Sequence, residues 1–197
     1  MLLRRYFASK QNGFFVDVGS HHPVKFSNTY LFYKEGWRGI NIDAMPGSMR
    51  LFNKIRPKDV NVECPVSDQN ERLTYYAFSE PALNGFSKEI SEDRCSSDKY
   101  SLLYKEEMQT VTLNEILARY LPVNQDIDFI SIDVEGLDFK VLKSLDLAKY
   151  KPELLLIEVL TDGDAGIEAN DITLYLIERG YRFYAKTVNT VFYKRVE

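Results

Sequence analysis

Phe14-Phe15-Val16-Asp17-Val18-Gly19-Ser20 is a run of apolar, strand-forming residues closed by a glycine and a small polar residue. A strand solvated on one face alternates apolar with polar side chains, whereas one covered on both faces reads as a nearly unbroken apolar run. The stretch 14–18 therefore predicts a central parallel strand, and the pattern returns downstream. Arg38 to Asp43, Val60 to Val66, Asp128 to Ile132 and Leu154 to Val159 read as four more strands. Helical stretches lie between them. Ser27 to Glu35 is capped by Ser27 and stopped by Gly36, and a second helix opens with Pro46 in its first turn. Gly136 to Leu145 gathers Leu137, Val141, Leu142 and Leu145 on one side, and Ile172 to Arg179 ends at Gly180. Tyr181 to Ala185 and Thr190 to Tyr193 read as a closing, hairpin-like pair. Strands alternating with helices define an α/β fold, with a mainly parallel, doubly wound sheet and an antiparallel C-terminal strand.

Composition narrows the function. The 197 residues are 45% hydrophobic and 27% charged, which suits a globular protein with a substantial core. No repeat, low-complexity tract or linker divides the chain, so one domain over 1–197 is expected. The net charge is −4 and no basic block exceeds pairs such as Arg4-Arg5, so nucleic acid is not an expected partner. The longest apolar runs, such as Leu154 to Ile157, are too short to span a bilayer, so no membrane span is expected. No apolar segment follows Arg4 and Arg5, so no signal peptide is expected. Cys64 and Cys95 lie far apart and read as thiols in a reducing compartment, although a disulfide is the open alternative. A cytoplasmic protein is predicted, and a homo-oligomeric assembly is compatible with it.

In a parallel α/β sheet, ligands collect beyond the carboxyl ends of the strands, so informative residues should sit there. Gly19 lets the first strand turn sharply and approach a ligand, and Ser20 follows in the same loop. Asp17 is an acid inside an apolar run, and burial without a partner would be expensive. Either it pairs with a cofactor cation or it is bonded structurally. Asp43 closes the second strand about 24 residues after Gly19, where a carboxylate can accept both ribose hydroxyl protons. The loop Gly19-Ser20-His21-His22-Pro23 lacks the second and third glycines that admit a pyrophosphate. A ribose-containing cofactor without phosphate fits better, which favours S-adenosylmethionine over NAD. The fourth strand ends Ser131-Ile132-Asp133-Val134-Glu135-Gly136, and Glu158 interrupts the apolar fifth. Asp133 and Glu158 could ligate a divalent metal such as Mg²⁺ or Mn²⁺ through hard oxygens, or Glu135 and Glu158 could serve as a helix cap and a local hydrogen-bond partner. His21 and His22, the two histidines of the chain, fall in the cofactor loop, and His22 is a candidate for proton transfer.

These segments, taken in order, resemble the FkbM family of S-adenosylmethionine-dependent methyltransferases. The pieces are Phe15 to Ser20, Ser27-Asn28-Thr29 with Gly36 to Asp43, Val66-Ser67-Asp68, Asn84-Gly85-Phe86-Ser87 and Thr112 to Leu117. The longest is Asp128 to Gly136, continuing through Val141-Leu142 to Pro152-Glu153 and Leu156-Ile157-Glu158. The resemblance covers about residues 13–195 and implies a Rossmann-like class I methyltransferase fold. It implies O-methylation, often of sugar hydroxyls on polysaccharides, glycolipids or natural products. By position it puts Asp17, Gly19, Ser20 and Asn28 at the cofactor, Asp43 at the ribose, and Ser67 with Asp68 near the adenine. Asp133 and Glu135 would face the site of methyl transfer.

The expected reaction is in-line displacement at a sulfonium methyl by a substrate hydroxyl, assisted by His22, Asp133 or a metal on Asp133 and Glu158. The alternatives are a methyltransferase for another small-molecule hydroxyl, amine or carboxyl, and a non-catalytic cofactor-binding protein of the same fold. An insertion at about 68–108 is rich in Ser, Glu and Lys but holds the strand-like Leu73 to Phe78. Its Tyr75, Tyr76, Phe78, Phe86 and Tyr100 suit a sugar ring, so it is the candidate acceptor-binding lid, unless these aromatics complete the core of an extra hairpin.

Overall fold

A computed structural model describes residues 2–96, 99–159 and 165–196. Its main sheet contains β1 (Phe14–Val18), β2 (Arg38–Asp43), β3 (Val60–Glu63), β6 (Phe129–Ile132), β7 (Leu154–Glu158), β8 (Tyr181–Lys186) and β9 (Thr190–Arg195). The order is β3-β2-β1-β6-β7-β9-β8. The first five strands are parallel, and β9 runs antiparallel between β7 and β8. The α/β sheet expected from the sequence is thus present, with its antiparallel C-terminal strand.

Alternation explains the apolar runs. Val16, Val18, Ile130, Ile132, Leu155 and Ile157 enter one core cluster, while Phe15, Phe129, Leu154 and Leu156 enter another on the opposite face. Each central strand is therefore covered on both sides. The second cluster is aromatic, with Phe7, Phe15, Phe32, Trp37 and Phe129 in mutual ring contact. Phe7 follows α1 (Leu2–Tyr6), a short helix too brief to carry a readable period, and Leu3 of that helix packs in the same cluster.

Several boundaries differ from expectation, each for a local reason. The helix read at 27–35 is α2 (Tyr30–Lys34), with the Ser27 hydroxyl accepting from the Thr29 and Tyr30 amides ahead of it. The next, α3 (Ser48–Ile55), starts after Gly47 in a left-handed conformation (φ 82°), so Pro46 precedes the helix instead of opening it. β3 stops at Glu63, short of Val66, because Pro65 cannot donate to a ladder; Val66 instead bridges Val111. The helices at 136–145 and 172–179 are observed as α6 (Asp138–Lys143) and α9 (Asp171–Ile177).

The stretch 68–108 is more regular than it reads. β4 (Arg72–Phe78) and β5 (Leu102–Gln109) form a separate two-stranded antiparallel sheet, joined by a short 3₁₀ turn (Pro81–Leu83) and α4 (Lys88–Cys95). Tyr75, Tyr76 and Phe78 are buried, as the hairpin-core alternative expects. The remaining helices are α5 (Leu113–Tyr120), α7 (Leu147–Tyr150) and α8 (Ala165–Glu168). α5 is closed by a reciprocal capping box between Thr112 and Glu115. No helix among the described residues is long and apolar enough to cross a membrane. Cys64 and Cys95 are both free thiols.

Candidate active site

Strand order reverses at β1, which lies between β2 and β6, and a cleft opens at the carboxyl ends of these strands. Asp17, Gly19, Ser20, Asn28 and Asp43 line it from β1, β2 and the loop before α2. Asp133 and Glu135 line it from the end of β6, and Tyr75, Asn84 and Phe86 come from the hairpin.

The floor is set by backbone. Gly19 has φ 82°, and a Cβ there would lie 1.7 Å from the Asp133 carbonyl oxygen. The Gly19 and Ser20 amides both donate to Ile42 O at 3.0 Å, which pins the loop to β2. His21 continues it in a left-handed conformation (φ 51°), and its amide donates to Asp43 Oδ2 at 2.8 Å. Asp43 Oδ1 accepts from the Met45 amide, also at 2.8 Å. Burial pushes the Asp43 carboxyl above the usual carboxylate range, against the opposing pull of those two amides.

Asp17 is bonded structurally and also opens onto the cleft. It lines the cleft, and its Oδ2 accepts from Thr29 Oγ1 at 2.8 Å. Arg56 donates to Thr29 Oγ1 at 3.0 Å and to Asp59 Oδ2 at 2.8 Å, and its guanidinium lies over the Phe15, Tyr33 and Phe52 rings. This fully buried arginine was not anticipated. An Arg just past the end of an amphipathic helix carries no mark that it turns inward. Asn28 completes the wall by donating to Ser131 Oγ at 3.1 Å.

Three expectations change. Ser67 and Asp68 do not line the cleft; Cys64 and Val66 do. The Val66–Val111 bridge turns the chain, so the Ser67 hydroxyl donates to Glu71 and Asp68 pairs with Lys143 at 3.3 Å. His22 is also outside the cleft wall, where His21 stands instead. Its Nδ1 accepts from the Val24 and Lys25 amides at 3.0 Å each, so the neutral ring carries its proton on Nε2. Burial, then Lys25 and His21, lower its pKa, and neither nitrogen is free to take a substrate proton.

The acids after β6 and β7 converge. Asp133, Asp138 and Glu158 each place a carboxylate oxygen within 4.8 Å of the others. Asp138, unforeseen, spans the turn by accepting from the Val134 and Gly136 amides at 3.0 and 3.1 Å. Glu135, at φ 53°, is tied to Arg94 of α4, which anchors the hairpin over the strand ends. Burial, reinforced by Asp138, Glu135 and Asp17, raises Asp133 to about 7. Burial, reinforced by Asp133, Glu135 and Asp138, raises Glu158 to about 8, and burial raises Asp138 to about 6. Asp133 opens onto the cleft, and its enclosure outweighs its neighbours' charges in raising it.

Glu158 carries a pH signature. Its folded pKa lies above the ordinary 4.5, so the folded chain holds a proton that the unfolded chain releases. That stabilisation is complete at acid pH and drains away as pH rises towards about 8. Glu158→Gln should flatten the stability profile between the ordinary 4.5 and about 8 and add about 1–2 kcal/mol at the alkaline end of that range, a value discounted for its partial solvation. Denaturant titrations across that range check it; an unchanged slope removes Glu158 from the cluster.

The seven-stranded order with its acid-lined cleft defines a Rossmann-like class I methyltransferase fold. The family model described as methyltransferase FkbM domain matches residues 17–183. The chain belongs to the FkbM methyltransferase family. A solved structure, the methyltransferase FkbM from Methylobacillus flagellatus KT, superposes with a TM-score of 0.57 at 14% identity over 93% of this chain. The match spans 44% of that protein, so this chain accounts for less than half of its length. No curated protein matches the sequence.

Proposed function

We propose that this chain is a single domain that transfers a methyl group from S-adenosylmethionine to a sugar hydroxyl of a glycan, glycolipid or natural product. The observation that carries the cofactor is the charge of the cleft. Asp17, Asp43, Asp133 and Glu135 line it, and among the described residues no lysine or arginine does. A dinucleotide pyrophosphate would meet four carboxylates there, whereas a cationic sulfonium and ammonium are complemented by them.

When bound, S-adenosylmethionine supplies an electrophilic methyl on its sulfonium. Asp43 would hold the ribose, with Gly19 and Ser20 allowing close approach and Asn28 and Asp17 closing the wall. Asp133 accepts the proton of the acceptor hydroxyl: it opens onto the cleft, and no group among the described residues donates to its carboxyl. Glu135, committed to Arg94, orients the site and is not the base. For the acceptor, Phe26 stands 93% exposed at the cleft rim with φ 55°, and the 68–108 hairpin faces it with Phe86 and Asn84. Aromatic faces beside amide groups suit a sugar ring.

Calorimetry with S-adenosylmethionine and with NAD tests the cofactor, and a product assay with nucleotide sugars and glycan fragments tests transfer. Asp43→Ala should weaken S-adenosylmethionine by about 1.5–3 kcal/mol, because hydrogen bonds to a charged acceptor are lost. Binding of NAD alone, or an Asp43→Ala variant with unchanged affinity, would sink this assignment.

A second reading has its own observation, the convergence of Asp133, Asp138 and Glu158. These hard oxygens fit Mg²⁺ or Mn²⁺. Asp138 is already bonded to two amides, and neither it nor Glu158 lines the cleft, which disfavours a cation at the reacting atoms. Full turnover in excess chelator is the outcome expected of the base; loss restored by Mg²⁺ or Mn²⁺ is that of the metal.

A further inference from the structure

The hydroxyl of Tyr75, on β4 of the hairpin, is the one buried side-chain polar atom of the cleft wall, among the described residues, that has no hydrogen-bond partner. Tyr75 is 2% exposed, and its hydroxyl has no hydrogen-bond partner among the described residues. A buried O–H without an acceptor is costly, and folded proteins retain such a group where a ligand or water completes it. Its neighbours do not. Asn84 Oδ1 accepts from the Phe78 amide at 2.8 Å, so the Asn84 side chain turns its NH₂ towards the phenol oxygen, a donor that leaves the phenol's own O–H without an acceptor. The ring packs beside Phe86 at 5.2 Å, which fixes where the hydroxyl points without satisfying it.

Its position selects the ligand. Tyr75 shares the cleft wall with Asp43 and with Cys64 and Val66, which follow β2 and β3. Burial, then the nearby Asp43 charge, keep the phenol neutral, so it remains a donor at any physiological pH. The Asp43 carboxyl, assigned above to the ribose, lines the same cleft and is close enough for its charge to act on the hydroxyl. We propose that Tyr75 is a cofactor-binding residue whose hydroxyl donates to an acceptor on the nucleoside half of the adenosyl cofactor. The inserted hairpin then belongs to the cofactor site as well as to the acceptor side, and the Arg94–Glu135 pair holds it there. The inference rests on reading the cleft as an S-adenosylmethionine site.

Tyr75→Phe keeps the ring and removes only the hydroxyl. Calorimetric titration of S-adenosylhomocysteine and of adenosine into the wild type and this variant is the test. Both ligands should bind the variant about 5- to 30-fold more weakly, because each leaves an acceptor unpaired. The ligand-free variant should melt no lower than the wild type, since the deleted hydroxyl had no partner to lose. Equal affinities in the two proteins overturn the proposal, with a water as the hydroxyl's partner. A lower melting temperature with equal affinities assigns the hydroxyl a purely structural bond and overturns it equally. A wild type that binds neither ligand instead removes the reading of the cleft on which the proposal stands.

Discussion

Asp133→Asn is expected to lower kcat by about 10²- to 10⁴-fold while leaving S-adenosylmethionine affinity within a few-fold of the wild type. A sugar hydroxyl is a poor nucleophile at neutral pH, and a base positioned beside it is worth that factor. The change is isosteric, so the loss measures proton acceptance and not shape. The pH profile supplies a second readout. The base must be ionised, and burial with three neighbouring acids raises it to about 7. Activity should therefore fall as pH drops through neutrality and level off above it. Because Asp133 and Glu158 interact, the midpoint belongs to the cluster and not to one residue. Asp138→Asn removes the acid whose charge raises Asp133 most and should move that midpoint to lower pH. Single-turnover rates across pH separate this chemical step from product release. An asparagine variant with wild-type kcat and an unchanged acid limb would transfer the role elsewhere.

The elements legible in the sequence are those whose burial is symmetric. β1, β2, β6 and β7 are covered on both faces, so they read as apolar runs, and their ends fall within a residue or so of expectation. The same logic located Asp17, Asp43 and Asp133, since an acid in or beside such a run stands out. β5 shows the opposite case. Leu102–Gln109 is almost wholly exposed and carries Lys105, Glu106 and Glu107 in succession, so no two-residue period exists to be read. Its partner β4 was visible because Tyr75 to Phe78 is buried. Site residues that act through tertiary contact left no trace. Asp138 lies in the first turn of a helix, where an acid is ordinary, and its convergence on Asp133 and Glu158 depends on the left-handed turn at Glu135 and Gly136. The choice between His21 and His22 depends on one backbone torsion. Ser67 and Asp68 follow a proline that bends the chain, and nothing in their identity shows which way they face.

Gly19→Ala should cost about 2–5 kcal/mol of folding stability and abolish cofactor binding in whatever fraction folds, adding a left-handed penalty of about 1–2 kcal/mol to overpacking of about 1–3. Both terms are visible at the site. With φ at 82°, an alanine is strained wherever its methyl points. The methyl also points badly: it would lie 1.7 Å from the Asp133 carbonyl oxygen and 2.7 Å from its carbon, so main chain and not a flexible side chain must move. Movement there shifts Asp133 relative to Asp43, because the Gly19 and Ser20 amides are bonded to the end of β2 while the Cβ presses on the end of β6. Gly180 separates the two terms. It has nearly the same torsion, φ 79°, but nothing lies within 4 Å of a Cβ added to it. Gly180→Ala should therefore cost only the backbone term, about 1–2 kcal/mol, and leave cofactor affinity intact. The difference between the two variants in denaturant unfolding isolates the crowding between β1 and β6. If Gly19→Ala proved no more costly than Gly180→Ala and still bound S-adenosylmethionine, the close approach of these two strand ends would not be what shapes the cleft.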